Sequence, residues 1–350
     1  MNQKDIKVGN RIIGDNHPPF VIAEMSGNHN QSLDRALEIV DQAAKSGCHA
    51  LKLQTYTADT MTINIEDPRF TVDLPLWKGR TLYSLYQEAH TPWEWHKPIF
   101  ERARSLGMIP FSTPFDSTAV DFLESLGVEI YKVASFENTD IPLLQRIAKT
   151  GKPIIMSIGM ATVAEIDDAV RAIRACGNNQ IILLKCTSSY PATPENSNIL
   201  TIPHLREMHN VTTGISDHTM GVGVAVAAVA LGARVIEKHF CLSRADGGVD
   251  SAFSLEPAEM RALVQESERA FLALGKISYE VTESEIKSQK LRRSIFAIRD
   301  IPAGAPFTKD NIKVIRPSDG LAPKHWEQVL QHKAKISIKR GTPLNWSLIE

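Results

Sequence analysis

Eight short runs rich in β-branched and other apolar residues recur along this chain, separated by stretches long enough to form helices. They are FVIAEM (20–25), HALKLQTY (49–56), MIPFSTPF (108–115), IYKVASFE (130–137), PIIMSIGM (153–160), IILLKCTS (181–188), TTGISDHT (212–219) and VIEKHF (235–240). Between such runs, SLDRALEIVDQAAKSG and TVAEIDDAVRAIRACG place apolar residues three and four apart and end in glycine, which stops a helix. Strand and helix alternating eight times over about 250 residues predicts an α/β fold, the (β/α)8 TIM barrel. A doubly wound open sheet is the competing arrangement; eight strands and no GxGxxG turn after the first weigh against it.

One connection is too long for an ordinary βα loop. Residues 57–91, broken by Pro68, Pro75 and Gly79, form an insertion of the kind that makes lids or substrate walls at a barrel mouth. The character changes again after residue 277. Charged residues 278–293 read as a linker, and 294–350 holds short β runs broken by PAG, RPSDG and KRGTP. About 60 residues is marginal for an independent core, so this small, mostly β domain is expected to lean on something larger.

Charge excludes some partners. Lysine and arginine total 39 against 40 acids, so no global field recruits nucleic acid or an anionic membrane. The apolar stretch from Met220 to Ala233 is too short to span a bilayer, and its small residues suit a tightly packed helix. MNQKDIKVGN lacks the apolar core of a secretory signal, so a cytoplasmic location is expected. The four cysteines (Cys48, Cys176, Cys186 and Cys241) show no CxxC spacing and read as buried free thiols.

The strand ends carry the chemistry. Lys52 and Lys132 sit among apolar neighbours, and the same ends bear Thr113, Ser135, Ser157, Ser188 and Ser216. As a set, ammonium groups and hydroxyls at the mouth of a barrel point to a bound phosphate and carboxylate. His218 and His239 close two consecutive strands, placing two neutral nitrogen ligands side by side. Two protein ligands leave positions open for water and substrate oxygens, which suits Mn²⁺ or a similar ion acting as a Lewis acid. Glu24, Glu137 and Asp250 are candidates for orienting hydroxyls or moving protons. Lys52 and Gln54 share a strand face, as do Ser216 and His218, and Glu237 and His239. Lys132 and Ser135 differ by an odd number, so both face inward only if the strand bends near its end.

Taken in order, IAEMSGNHN (22–30), LKLQTY (51–56), FSTPF (111–115), YKVASFE (131–137), GKPIIMSIGM (151–160), KCTSSYP (185–191), GISDHT (214–219), EKHF (237–240) and VIRPSDG (314–320) resemble the N-acetylneuraminate synthase family nearly end to end. The resemblance implies a barrel that condenses phosphoenolpyruvate with an N-acetylated amino sugar to a nonulosonic acid, and a C-terminal SAF-like domain similar to type III antifreeze proteins. EMSGNHN, LWKGRTLYSLYQEAHTPWEWH and GGVDSAFSLEP are similar to the branch whose product is pseudaminic acid. That branch implies 2,4-diacetamido-2,4,6-trideoxy-altrose as the sugar, with N-acetylneuraminate or legionaminic acid chemistry as the alternative.

Carried across by motif, Lys52, Thr113, Lys132, Ser135, Ser157, Ser188 and Ser216 would hold phosphoenolpyruvate. Ser188 stands where some relatives have asparagine. His218 and His239 would bind a divalent metal (Mn²⁺, Co²⁺ or Mg²⁺). Gln54, Tyr190, Asp250 and Arg316 would face the sugar. Glu24, Glu137 and Lys132 would be catalytic, with Glu24 the first choice for taking the water proton and Glu137 the second. The resemblance also implies a domain-swapped homodimer in which Arg316 reaches the partner's site. A metal-dependent hydrolase or isomerase would use the same histidines but leaves the two lysines and the row of hydroxyls without a purpose. A carbohydrate- or ice-binding protein on an inactive barrel is the non-enzymatic alternative, and the tail is highly charged for binding ice.

Overall fold

The computed structural model describes residues 5–73 and 77–350. They form two compact units, Met1–Gly275 and Lys276–Glu350. The first unit opens with β1 (Ile6–Val8) and β2 (Arg11–Ile13), paired antiparallel. A closed barrel of eight strands follows: β3 (Phe20–Glu24), β4 (Ala50–Thr55), β5 (Ile109–Pro114), β6 (Tyr131–Val133), β7 (Ile154–Ser157), β8 (Ile181–Cys186), β9 (Thr212–Ser216) and β10 (Val235–His239). Neighbouring strands pair in parallel and β10 returns to β3, so the TIM barrel is realised and the open sheet is excluded.

The period of two along each strand divides its residues between two environments. Val21, Ala23, Leu51, Leu53, Tyr131, Met156, Leu183 and Ile236 belong to the core shared with the surrounding helices. Phe20, Ile22, Ala50, Phe111, Ile155, Ile182, Leu184 and Val235 form a second cluster inside the barrel, joined by Ile6, Val8 and Ile13 of the hairpin. The hairpin therefore closes the N-terminal end of the barrel. The continuing inward positions change character: Glu24, Lys52, Lys132, Ser157, Ser216, Glu237 and His239 are all buried, near the C-terminal ends of the strands. A barrel that is oily below and charged above has one functional end.

Local signals position the helices as expected. Ser32 caps Leu33–Lys45, and Thr162 with Glu165 forms a capping box on Val163–Ala175. The run from Met220 contains helix Gly223–Ala230, whose Ala225, Ala228 and Val229 are buried. All four cysteines are unbridged; Cys48, Cys186 and Cys241 are buried, while Cys176 at the end of a helix is only half-buried. No helix among the described residues is long and apolar enough to cross a membrane.

The insertion contains helices Ala58–Met61 and Leu82–Ala89, the latter capped by Thr81. Pro75, expected as a breaker, lies outside the described residues. In the second unit, helix Glu283–Gln289 precedes β11 (Ser294–Ala297), which pairs antiparallel with β12 (Ile312–Ile315). Its own core includes Ile295, Ile301, Phe307, Ile312, Val329, Ile338 and Leu344.

Candidate active site

At the mouth, strand register assembles a charged cluster from distant parts of the chain. Glu24 of β3 lies beside Lys52 of β4 on one side and His239 of β10 on the other. Lys52 Nζ is 2.7 Å from Glu24 Oε2 and 3.7 Å from Glu237 Oε1, and donates to Thr113 Oγ1 at 3.2 Å. Lys132 Nζ is also 3.7 Å from Glu237 Oε1, and donates to Ser157 Oγ at 2.8 Å and the Val133 carbonyl at 2.9 Å. Ser216 Oγ donates to the same Glu237 oxygen at 3.3 Å. Two lysines thus straddle one buried glutamate. Such a cluster offsets the several kcal/mol that burying each ion costs only because every charge has an opposite within reach.

The two carboxyls differ. Burial raises the Glu24 carboxyl above its ordinary range, with the neighbouring Glu237 adding to the rise and Lys52 opposing it. Burial also works against an ionised Glu237, but Lys132 and Lys52 outweigh it and hold that carboxyl below its usual range. Glu237 therefore carries the negative charge between the lysines.

Ser135 shows how the odd spacing is resolved. β6 ends at Val133, and Ser135–Glu137 form a 3₁₀ turn that swings Ser135 inward. Its Oγ accepts the Gly159 N–H at 3.0 Å. A Cβ on Gly159 would lie 2.3 Å from Ser188 Oγ and 2.7 Å from Ser135 Oγ. The missing side chain therefore lets both hydroxyls close on one backbone segment. The same turn ends in Glu137, whose carboxyl burial pushes up to about 7, against the pull of Lys132.

His218 lies two residues beyond β9, and its ring centroid is 5.3 Å from that of His239. Its Nδ1 faces the Thr187 carbonyl at 3.0 Å. Burial holds His239 well below the ordinary histidine range, and the positive charge of neighbours such as Lys52 adds to this. Its ring is therefore neutral, and its buried Nδ1 has no hydrogen-bond partner among the described residues. Also among the described residues, no group of three or more His, Cys, Asp or Glu is arranged to hold a metal ion. Two adjacent imidazoles with an unsatisfied nitrogen fit an exchangeable divalent ion that keeps open positions, and do not fit a closed zinc site.

Above this layer lies a cavity of about 370 Å³, lined by Gln54, Glu137, Tyr190, His239 and Asp250 from the barrel ends, and by residues of the insertion. Gln54 Nε2 donates to Glu24 Oε1 at 2.9 Å and to Ser26 Oγ at 3.0 Å, and Ser26 in turn bonds Asp250. The Tyr190 ring is 4.5 Å from that of His218 and 6.0 Å from that of Trp77. Trp77 ties the insertion down by donating its indole N–H to the Val249 carbonyl at 3.0 Å.

The structure therefore brings together every barrel residue named from the sequence. Arg316 lies in the second unit, exposed, one residue past β12. There the loop is held by Ser294 Oγ donating to the Pro317 carbonyl at 2.7 Å. Sequence reasoning places Glu237 on the face of His239 without giving it a role, and misses Ser26 and Gly159. Glu237 has a usable signal, since it shares the inward face with His239.

This fold and site define a barrel enzyme of anion and sugar chemistry, and the chain belongs to the NeuB family, whose profile matches residues 39–279; the SAF domain profile matches 292–350. It is 42% identical to the pseudaminic acid synthase of Helicobacter pylori, over 95% of this chain and 98% of that protein. The pseudaminic acid synthase of Campylobacter jejuni is 43% identical over 93% and 95% of the two chains. Among solved structures, the N-acetylneuraminic acid synthetase of Leptospira borgpetersenii matches with a TM-score of 0.73 at 34% identity, covering 82% of this chain and 95% of that one.

Proposed function

We propose that this enzyme condenses phosphoenolpyruvate with 2,4-diacetamido-2,4,6-trideoxy-altrose and water to give pseudaminic acid and phosphate. The observation that carries the reading is the pair of buried lysines flanking Glu237, ringed by Thr113, Ser157 and Ser216 and adjoining the two-histidine pair. The names of the relatives above support the product. Phosphate release from phosphoenolpyruvate with this sugar, compared with N-acetylmannosamine, tests it. Equal or better turnover of N-acetylmannosamine removes the pseudaminic assignment, and no release with either sugar removes the enzyme reading.

In this mechanism Lys52, Lys132 and the hydroxyls of Thr113, Ser135, Ser157, Ser188 and Ser216 hold the phosphate and carboxylate of phosphoenolpyruvate. A divalent cation held by His218 and His239 would supply Lewis-acid polarisation of the open-chain sugar aldehyde. Gln54, Tyr190 and Asp250 orient the sugar, so that C3 of phosphoenolpyruvate attacks its aldehyde carbon. Water adds at C2, and phosphate leaves with cleavage of its C–O bond. Glu24, whose carboxyl burial raises and which is held by Lys52 and Gln54, suits an orienting role. Glu137 suits that of base, because its Oε2 is buried without a partner among the described residues and its carboxyl titrates at about 7.

A pH profile follows from that assignment. Below about 7 Glu137 is protonated and cannot accept a proton, so kcat/KM should fall as pH drops through that value. Glu137→Gln should be slow at every pH and lose this acidic limb. An unchanged limb in that variant assigns the base elsewhere.

We also propose a cytoplasmic homodimer in which Arg316 completes the site of the partner subunit's barrel. Its planar donors can bond a sugar acyl oxygen without a change of charge state. Arg316→Ala and His218→Ala should each be nearly inactive. Their co-expressed heterodimer contains one barrel with intact histidines served by one intact arginine, so activity should partly return. A dead, verified heterodimer assigns the arginine to its own chain's site.

A further inference from the structure

The insertion meets the cavity above the barrel mouth through one face of a helix. Leu82, Leu85, Tyr86 and Ala89 of helix Leu82–Ala89 all line it, at the three-and-four spacing that puts residues on one side of a helix. Among the insertion's other lining residues, Met61 and Val72 have no side-chain N–H or O–H, like Leu82, Leu85 and Ala89. Trp77 has one, but it already donates to the Val249 carbonyl. The Tyr86 hydroxyl has no hydrogen-bond partner among the described residues. It is therefore the one free side-chain donor that the described part of the insertion brings to the cavity. Packing fixes its place: Tyr56, buried just beyond β4, meets the Tyr86 ring edge-on at 5.7 Å and the Phe115 ring at 5.2 Å. Burial raises the Tyr86 phenol above its ordinary range, with the negative charge of Glu137 adding to the rise, so the hydroxyl keeps its proton and can donate it.

We propose that Tyr86 is a specificity-determining residue, whose hydroxyl donates to the acyl oxygen of the acetamido group on C4 of the sugar. The inference rests on the condensing function proposed above and assigns one protein atom to one substrate atom within it. A lone donor set among Val72, Leu82 and Leu85 complements a group that pairs one strong acceptor with a methyl, which is what an acetamido group is. A sugar hydroxyl has no apolar part to cover those side chains. The acetamido group on C2 is attached beside the aldehyde carbon and stays with it near the histidines. The one on C4 is three bonds further along the chain and is free to reach the helix. Because the sugar has two acyl oxygens, this contact is separate from the one assigned to Arg316. A buried carbonyl left without its donor is disfavoured, so the hydroxyl discriminates as well as binds.

The test is a cycle of two enzymes and two sugars. Wild type and Tyr86→Phe are each assayed with 2,4-diacetamido-2,4,6-trideoxy-altrose and with its analogue carrying hydrogen in place of the C4 acetamido group. Phenylalanine keeps the ring and its packing on Tyr56 and removes only the hydroxyl. The variant should lose about 10-fold in kcat/KM for the diacetamido sugar, as expected when a buried carbonyl loses its donor. For the analogue the loss should be under about 2-fold, because the group that the hydroxyl reads is already gone. If the analogue binds without reacting, its inhibition constant against the diacetamido sugar takes its place in the cycle, and should be the same for both enzymes. An equal loss with both sugars means that the hydroxyl acts on the fold or on Glu137, and overturns the assignment. Unchanged kcat/KM for the diacetamido sugar overturns it too. Absence of phosphate release by the wild-type enzyme with either sugar instead overturns the condensing function, and this inference with it.

Discussion

Lys132→Met should lower phosphate release from phosphoenolpyruvate by about 10²–10³-fold, the usual consequence of removing one preorganised group from a charge-stabilising site. The side chain keeps its length and loses its charge, so Ser157 and Glu237 lose the group they share. Lys238 provides the contrast. It precedes His239 in β10 and pairs with Asp217 at 2.6 Å, both side chains being buried. Lys238→Met should cost about 3–5 kcal/mol of stability by leaving a buried carboxylate alone, while kcat of the folded protein stays within a few-fold. Denaturant melts and single-temperature kinetics on the two variants separate these effects. Equal losses of kcat in both would mean that Lys132 acts through the fold and not on the substrate.

Chelation should abolish turnover without unfolding the barrel. EDTA-treated protein is expected to release no phosphate, to regain activity with Mn²⁺, Co²⁺ or Mg²⁺, and to keep its circular dichroism throughout. His218→Ala and His239→Ala should each lose Co²⁺ binding as well as activity. Lewis-acid polarisation contributes several kcal/mol, which corresponds to a loss of about 10³-fold or more. Full activity in metal-free protein, or in either alanine variant, takes the ion out of the reaction.

The barrel is legible in the chain because each strand is buried on both faces, which leaves near-continuous apolar runs between helices with clear stops. FVIAEM and VIEKHF match β3 and β10 to within one residue at each end. IYKVASFE does not: β6 stops at Val133, because the chain turns there to bring Ser135 to Gly159. Strand propensity carries no record of such a turn, so the spacing of Lys132 and Ser135 reads as inconsistent from sequence alone. The β1–β2 hairpin escapes notice for a similar reason, since three-residue strands are too short to show a period. Glu237 is easily passed over because a lone acid in an apolar run says nothing of the two lysines that face it from β4 and β6.

The pairing of β3 with β10 joins residues 20–24 to residues 235–239. It is the seam at which the sheet becomes a closed surface, and it lies between the first and last barrel strands to leave the ribosome. Until β10 has been synthesised, β3 keeps an unpaired edge that can template association with other chains. Contacts this distant in sequence are also slow to form, because the loop entropy is lost before the pairing repays it. Glu24 and His239 are register partners across that seam. The mouth is thus completed only when β10 is in place, and a nascent or truncated chain that lacks β10 keeps Lys52 and Lys132 but has neither Glu237 between them nor His239.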